Sequence, residues 1–172
     1  MLDTEIARYE LIKNIVIMSE TKLYVELGAK AFAQINRIAP YVHRAIGVDK
    51  LDKWSHLKDP KVEFYHMSTD EFYGEWKEEI DTLFIDANHS YEAVMADFEN
   101  FFGLVKPNGL IILHDSYPPE EKYRADGWCG GVWKVAWKIR TEWNDHCEIV
   151  TIPGSFGVSI IRKADKQLMW GE

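Results

Sequence analysis

Apolar residues along the chain follow two alternating periods. At helical spacing, Ile6, Leu11, Ile12, Ile15 and Val16 predict a helix over Thr4 to Met18. Tyr91, Val94, Met95, Phe98 and Phe102 predict another that begins at Ser90, and Val132, Val135, Ala136, Ile139 and Trp143 a third. Between them lie short apolar runs of strand length: Leu23 to Leu27, Ala45 to Asp49, Val62 to His66, Thr82 to Asp86 and Leu110 to Leu113. Glu148 to Ile152 and Phe156 to Arg162 close the series, and the short turn Pro153-Gly154-Ser155 between them predicts an antiparallel pair. A helix after Gly28 should stop at Pro40, Ser68-Thr69-Asp70-Glu71 has capping-box spacing, and Pro107-Asn108-Gly109 should end the connection into Leu110. This alternation predicts a doubly wound α/β fold with a mostly parallel seven-stranded sheet and an antiparallel C-terminal strand. It is read as one domain over residues 1–172, with an N-terminal helical segment over 1–20.

Residues 116–131 break both periods with Pro118-Pro119, charged side chains and three glycines. A structureless stretch of that length inside a compact domain points to a binding loop, here an active-site loop.

Two of the runs end in polar groups that can bind metals or carry protons. Leu83-Phe84-Ile85 leads into Asp86-Ala87-Asn88-His89, and Leu110-Ile111-Ile112-Leu113 into His114-Asp115. Ligands of open α/β sheets sit beyond the carboxyl ends of the strands, so neighbouring strands would bring Asp86, His89, His114 and Asp115 together. The blander reading makes Asp86 and Asn88 a strand end and helix cap, and His114 a core histidine. A second pairing concerns Tyr24-Val25-Glu26-Leu27-Gly28 and Ile46-Gly47-Val48-Asp49. A glycine turn after the first strand and an acid ending the second suit a nucleoside whose ribose diol hydrogen-bonds the acid; a plain turn and a helix cap would look the same.

Charge narrows the ligand. With 28 acidic against 20 basic residues, a net charge of -8 and a pI near 5.3, the chain offers no footprint for nucleic acid or an anionic membrane. A small neutral or cationic ligand fits better. No stretch is apolar enough to span a bilayer, and the charged residues among Met1 to Met18 read as an amphipathic helix, not a signal peptide. Cys129 and Cys147 lack paired spacing, which places reduced thiols in a cytoplasmic setting.

From about Leu23 to Arg162 the chain resembles class I S-adenosylmethionine-dependent methyltransferases. The likeness is strongest at Phe84-Ile85-Asp86-Ala87-Asn88-His89-Ser90-Tyr91-Glu92. That segment is similar to the I-D-G-D-H-S-Y-E signature of a metal-dependent subgroup that includes macrolide sugar O-methyltransferases and cephalosporin hydroxylase-like proteins. The resemblance implies that Asp86 binds magnesium or another divalent metal, His89 is the catalytic base and Asp115 a second ligand. His114 stands where the subgroup carries an acid, and histidine opens the site to transition metals. It also implies that S-adenosyl-L-methionine is bound by Glu26, Gly28, Ala29, Asp49, Met67, Ser68 and Asp86.

The family writes further glycines after Gly28, where this chain has Ala29, Lys30, Ala31 and Phe32; Phe32 is expected where backbone passes the cofactor. The function that follows is a metal-assisted O-methyltransferase acting on a small hydroxylated acceptor. The alternative is a non-catalytic binding or scaffold protein with a degenerate cofactor loop. A nicotinamide oxidoreductase fits the single glycine less well. Seven tryptophans are many, and Trp128, Trp133 and Trp137 suit core packing or the seam of a homo-oligomer, or else a flat acceptor or a cation. Leu168-Met169-Trp170 is an apolar spot on a polar tail that could dock onto a neighbour.

Overall fold

In the computed structural model, which describes residues 4–30, 32–51 and 59–164, seven strands form one sheet. In chain order they are β1 (Leu23–Leu27), β2 (Arg44–Asp49), β3 (Val62–His66), β4 (Ile80–Ile85), β5 (Val105–His114), β6 (Cys147–Ile152) and β7 (Val158–Lys163). The spatial order is β3-β2-β1-β4-β5-β7-β6. All pairs among β1 to β5 are parallel, and β7 runs antiparallel to both β5 and β6. The expected architecture is therefore the observed one. β1 is buried along its whole length, as its unbroken apolar run requires of a central strand covered on both faces.

Helices α1 (Thr4–Met18) and α2 (Ile35–Ile38) are represented in the core on one face, where Ile12, Val16, Tyr24, Phe32, Ile35 and Ile38 pack together. Helices α3 (Thr69–Glu75), α4 (Tyr91–Phe102) and α5 (Val132–Glu142) supply the other core, with Phe72, Phe98, Phe101, Val135 and Ile139 against Val25, Leu83 and Ile111. Local chemistry starts two of these helices where the residue pattern predicts. Ser68 accepts from the Glu71 amide while the Glu71 carboxylate accepts from the Ser68 amide, a complete capping box. Ser90 accepts from the Ala93 amide at the head of α4.

Three departures have physical causes. The helix expected between Gly28 and Pro40 shrinks to α2 and a 3-10 turn at Ala39–Tyr41; Phe32 adopts a left-handed backbone, φ 55°, which cannot continue a right-handed helix. Pro107-Asn108-Gly109 belongs to β5, which begins at Val105 and slips register against β4 between Ile80 and Thr82, an irregularity that lets proline and a left-handed Asn108 (φ 63°) sit in a strand. Ile6, expected on the apolar face of α1, is 50% exposed. The loop after β5 contains a 3-10 turn at Glu121–Arg124 and is otherwise irregular, as expected. Ala31 and the tail Leu168-Met169-Trp170 lie outside the described residues. Cys129 and Cys147 are buried free thiols. No helix among the described residues is long and apolar enough to cross a membrane.

Candidate active site

The carboxyl ends of β1, β2, β4 and β5 carry two adjoining polar regions. The first is a cleft of about 300 Å³ lined by Gly28, Asp49, Met67, Ser68, Ala87 and Asp97, among others. Gly28 has φ 95°, and a Cβ there would lie 2.2 Å from the Asp86 carbonyl oxygen, so only glycine lets β1 turn across the end of β4. The Gly28 and Ala29 amides both donate to the Val48 carbonyl, at 2.8 and 3.1 Å. Asp49 Oδ1 accepts from the Leu51 amide at 2.8 Å. The Ser68 hydroxyl is engaged by Glu71.

Of the residues expected at a cofactor, Gly28, Asp49, Met67 and Ser68 share this cleft. Glu26 and Ala29 do not line it; both are buried, Glu26 accepting from the Tyr24 hydroxyl at 2.9 Å. Burial pushes the Glu26 carboxyl up to about 8. Phe32 does not stand in the cleft as expected. Its left-handed backbone directs the ring into the α1/α2 core, edge-on to Phe64 with centroids 5.0 Å apart. Asp97, not anticipated, is buried beside the cleft and its carboxyl is pushed up to about 6 by that burial, with Asp70 adding to it. Its signal was an acid on the buried stripe of α4, three residues after Val94 and four before Phe101.

The second region gathers the polar ends of β4 and β5. His114 Nδ1 lies 3.1 Å from Asp86 Oδ1 and 3.3 Å from Asp115 Oδ2. His89 Nε2 lies 3.3 Å from Asp86 Oδ1, and its Nδ1 lies 3.4 Å from Asp115 Oδ2. All four residues singled out on the two strand ends thus meet. His89 Nδ1 also donates to the Trp128 carbonyl. The Asp86 hydrogen bond leads in raising His89 to about 9, against the opposing effect of burial, and the Trp128 carbonyl adds to it. Burial alone would raise Asp86, but hydrogen bonds from His114 and His89, with the Arg8 charge, hold it well below the usual carboxylate range. Burial raises Asp115 and takes the Cys129 thiol beside it up to about 12.

The 116–131 loop closes over this region through glycine. A Cβ on Gly130 (φ 53°) would lie 2.3 Å from the His89 carbonyl oxygen, and that oxygen accepts from the Gly131 amide at 2.7 Å. Larger residues would lift the loop from His89.

Arg8 completes the region, and the residue pattern had not marked it. From α1 its Nη1 reaches Asp86 Oδ2 at 3.4 Å and the His114 ring nitrogens at 2.9 and 3.1 Å. His114 Nε2 faces the Ser155 carbonyl at 3.0 Å and its Nδ1 faces Asp86 Oδ1 at 3.1 Å. Arg8 precedes Ile12 and Val16 at four-residue steps on the buried side of α1; a cation on that stripe was the available signal.

A divalent ion fits the donor set, since Asp86, His114 and Asp115 offer ligand atoms within 4.8 Å of one another. Arg8 already supplies positive charge there. The cleft fits a nucleoside, with an acid at the end of β2 and a glycine-tight crossing between β1 and β4.

A sequence-family profile described as a methyltransferase domain matches residues 25–116, a span that includes the cleft's Gly28 and Asp49 and the whole of the Asp86, His89, His114 and Asp115 cluster. No curated protein matches the chain significantly. Among solved structures, a candidate caffeoyl-CoA O-methyltransferase from Staphylococcus aureus is similar over 92% of this chain and 83% of its own, with a TM-score of 0.75 and 14% identity. An O-methyltransferase from Bacillus cereus, solved in complex with SAH, aligns over 91% and 80% with a TM-score of 0.70 and 16% identity. N-methyltransferase NodS from Bradyrhizobium japonicum aligns over 95% and 98%, with a TM-score of 0.71 and 17% identity. At such identities these likenesses speak for the fold. The profile covers more than half of the residues, and by it the chain belongs to the methyltransferase domain family.

Proposed function

We propose that this methyltransferase takes its methyl group from S-adenosylmethionine and delivers it to a hydroxyl oxygen of a small acceptor, with a divalent ion held by Asp86, His114 and Asp115. One observation carries the reading. The Gly28 backbone packs directly on the Asp86 carbonyl, so a nucleoside cleft and an acid–base cluster adjoin at the carboxyl end of the central strands. The cofactor's sulfonium supplies an activated methyl carbon: an oxygen–carbon bond forms as the carbon–sulfur bond breaks, and sulfur keeps the electron pair. A divalent ion, when bound, lowers the pKa of a coordinated hydroxyl.

The chain's own residues do the rest. Asp49 takes the ribose hydroxyls in this reading, supported by its place in the cleft beside Met67, which supplies an apolar wall. His89 is the base. In its neutral form it accepts the acceptor's proton, and Asp86 and Asp115 then stabilise the imidazolium. The loop at Gly130 and Gly131, packed on His89, excludes water from that proton transfer.

Binding without catalysis is the second reading, favoured by Arg8 seated on Asp86 and His114. Calorimetry with S-adenosylhomocysteine, alone and with magnesium, tests the cofactor assignment. Micromolar binding that loosens about tenfold in Asp49→Ala is the expected result, a loss of about 1.4 kcal/mol. No heat at millimolar ligand would overturn the assignment, whereas binding without methyl transfer to any hydroxylated acceptor would favour the second reading.

A further inference from the structure

A hollow of about 570 Å³ lies beside the 116–131 loop, against α5 and the end of β6, and shares no lining residue with the cleft or the acidic centre. Its walls include Tyr117, Arg124, Trp133, Trp137, Arg140 and Thr151. No acid among the described residues lines it, in a chain of net charge -8. Neither Arg124 nor Arg140 makes an ion pair or a hydrogen bond among the described residues. The Arg124 guanidinium lies 4.8 Å from the centre of the Trp133 ring, and the buried Trp133 Nε1 has no hydrogen-bond partner among the described residues. Trp137, one helical turn further along α5, is 63% exposed.

We propose that this hollow binds a flat aromatic anion, its ring against the indoles of Trp133 and Trp137 and its carboxylate, sulfonate or phosphate group on Arg124 and Arg140. The volume suits a small molecule. Indole faces take flat rings, and a guanidinium offers a planar pair of donors to an oxyanion. An uncharged apolar ligand would leave both guanidinium groups without a counter-charge. A second copy of this chain docked through the same face about a twofold axis would bring the arginine-bearing patches together without acids to offset them. An oxyanion satisfies both the charge and the aromatic walls. The assignment does not depend on the acidic centre being catalytic.

The test titrates 2-naphthoate, and the uncharged 2-naphthamide of nearly the same shape, into the full chain. Nuclear magnetic resonance follows the tryptophan indole N–H signals, assigned through single Trp→Phe variants. The expected result is a saturable shift of the Trp133 or Trp137 signal, with naphthoate bound at least about tenfold more tightly than the amide. Arg124→Ala and Arg140→Ala each weaken naphthoate about tenfold, as loss of a charge-assisted hydrogen bond predicts, and leave amide binding unchanged. Both arginines are exposed, so the variants should keep the wild-type circular dichroism spectrum. Equal affinity for the two probes, indifference to both substitutions, or burial of Trp137 in a concentration-dependent dimer would overturn the proposal.

Discussion

The two halves of the site are held together by different means. In the cleft at the ends of β1 and β2 the polar side chains bond to near neighbours in the chain: Asp49 to Leu51 and Ser68 to Glu71. What shapes that half is backbone, above all the crossing of Gly28 over Asp86. In the acidic centre every important contact is between side chains or across distant segments: Arg8 with Asp86, 78 residues on, and with His114, 106 residues on, and His89 with the Trp128 carbonyl, 39 residues on. A half made of backbone geometry survives changes of charge and fails on changes of shape. A half made of balanced charges should do the reverse.

The largest effect should come from shape. Gly28→Val places a side chain against the Asp86 carbonyl in a left-handed backbone, with an expected loss of about 3 kcal/mol or more and of S-adenosylhomocysteine binding; chemical denaturation and calorimetry measure both. Unchanged stability would mean that the strand crossing is not tight. Asp86→Asn is the charge counterpart. It takes away the carboxylate shared by Arg8, His89 and His114, and turnover should fall by about 10² to 10⁴. Binding of S-adenosylhomocysteine should stay within about threefold, less than 1 kcal/mol, because Asp86 does not line the cleft. A joint loss of both would show that the halves are one unit.

Arg8→Met sharpens the comparison inside the acidic half. The Arg8 guanidinium and a divalent ion address the same Asp86 and His114 atoms, so removing one positive charge should tighten Mn²⁺ binding by about ten- to a hundredfold, roughly 1.4 to 3 kcal/mol. Titration followed by electron paramagnetic resonance reads this without any need for activity. Equal affinity in both proteins would place the ion elsewhere or show that Arg8 swings clear at little cost.

The same division decides what could be read from residue order. Strand ends, the Ser68–Glu71 box and the Ser90 cap are local devices, with each partner within a few residues, and the pattern of apolar and polar positions reveals them. The four metal-capable groups were legible because each sits at the end of an apolar run, and a parallel sheet aligns such ends. The left-handed backbone of Phe32 was not, since a buried phenylalanine has no local preference for it and is held there by the core it enters. Arg8 and Asp97 occupy apolar stripes of α1 and α4, and only tertiary packing reveals which charges face them. The raised pKa of His89 depends on Asp86, Asp115 and a carbonyl from a loop 39 residues away.

The smallest effect concerns Glu26, which lies on β1 behind both halves and is bonded only to Tyr24 among the described residues. Its carboxyl is raised by burial from 4.5 to about 8, so between those values the folded chain holds a proton that the unfolded chain has released. By linkage the associated stability is fully present below pH 4.5 and is lost as pH rises through about 8. Glu26→Gln keeps an acceptor for the Tyr24 hydroxyl and removes the ionisation. The variant should therefore melt above wild type at pH 9, with the difference closing by pH 5, and thermal denaturation across that range would show it. Loss of S-adenosylhomocysteine binding in Glu26→Gln would instead tie this buried acid to the cleft, although Gly28 and Asp49 line it and Glu26 does not. A melting curve that shifts with pH while binding stays constant would keep Glu26 in the core, apart from both halves.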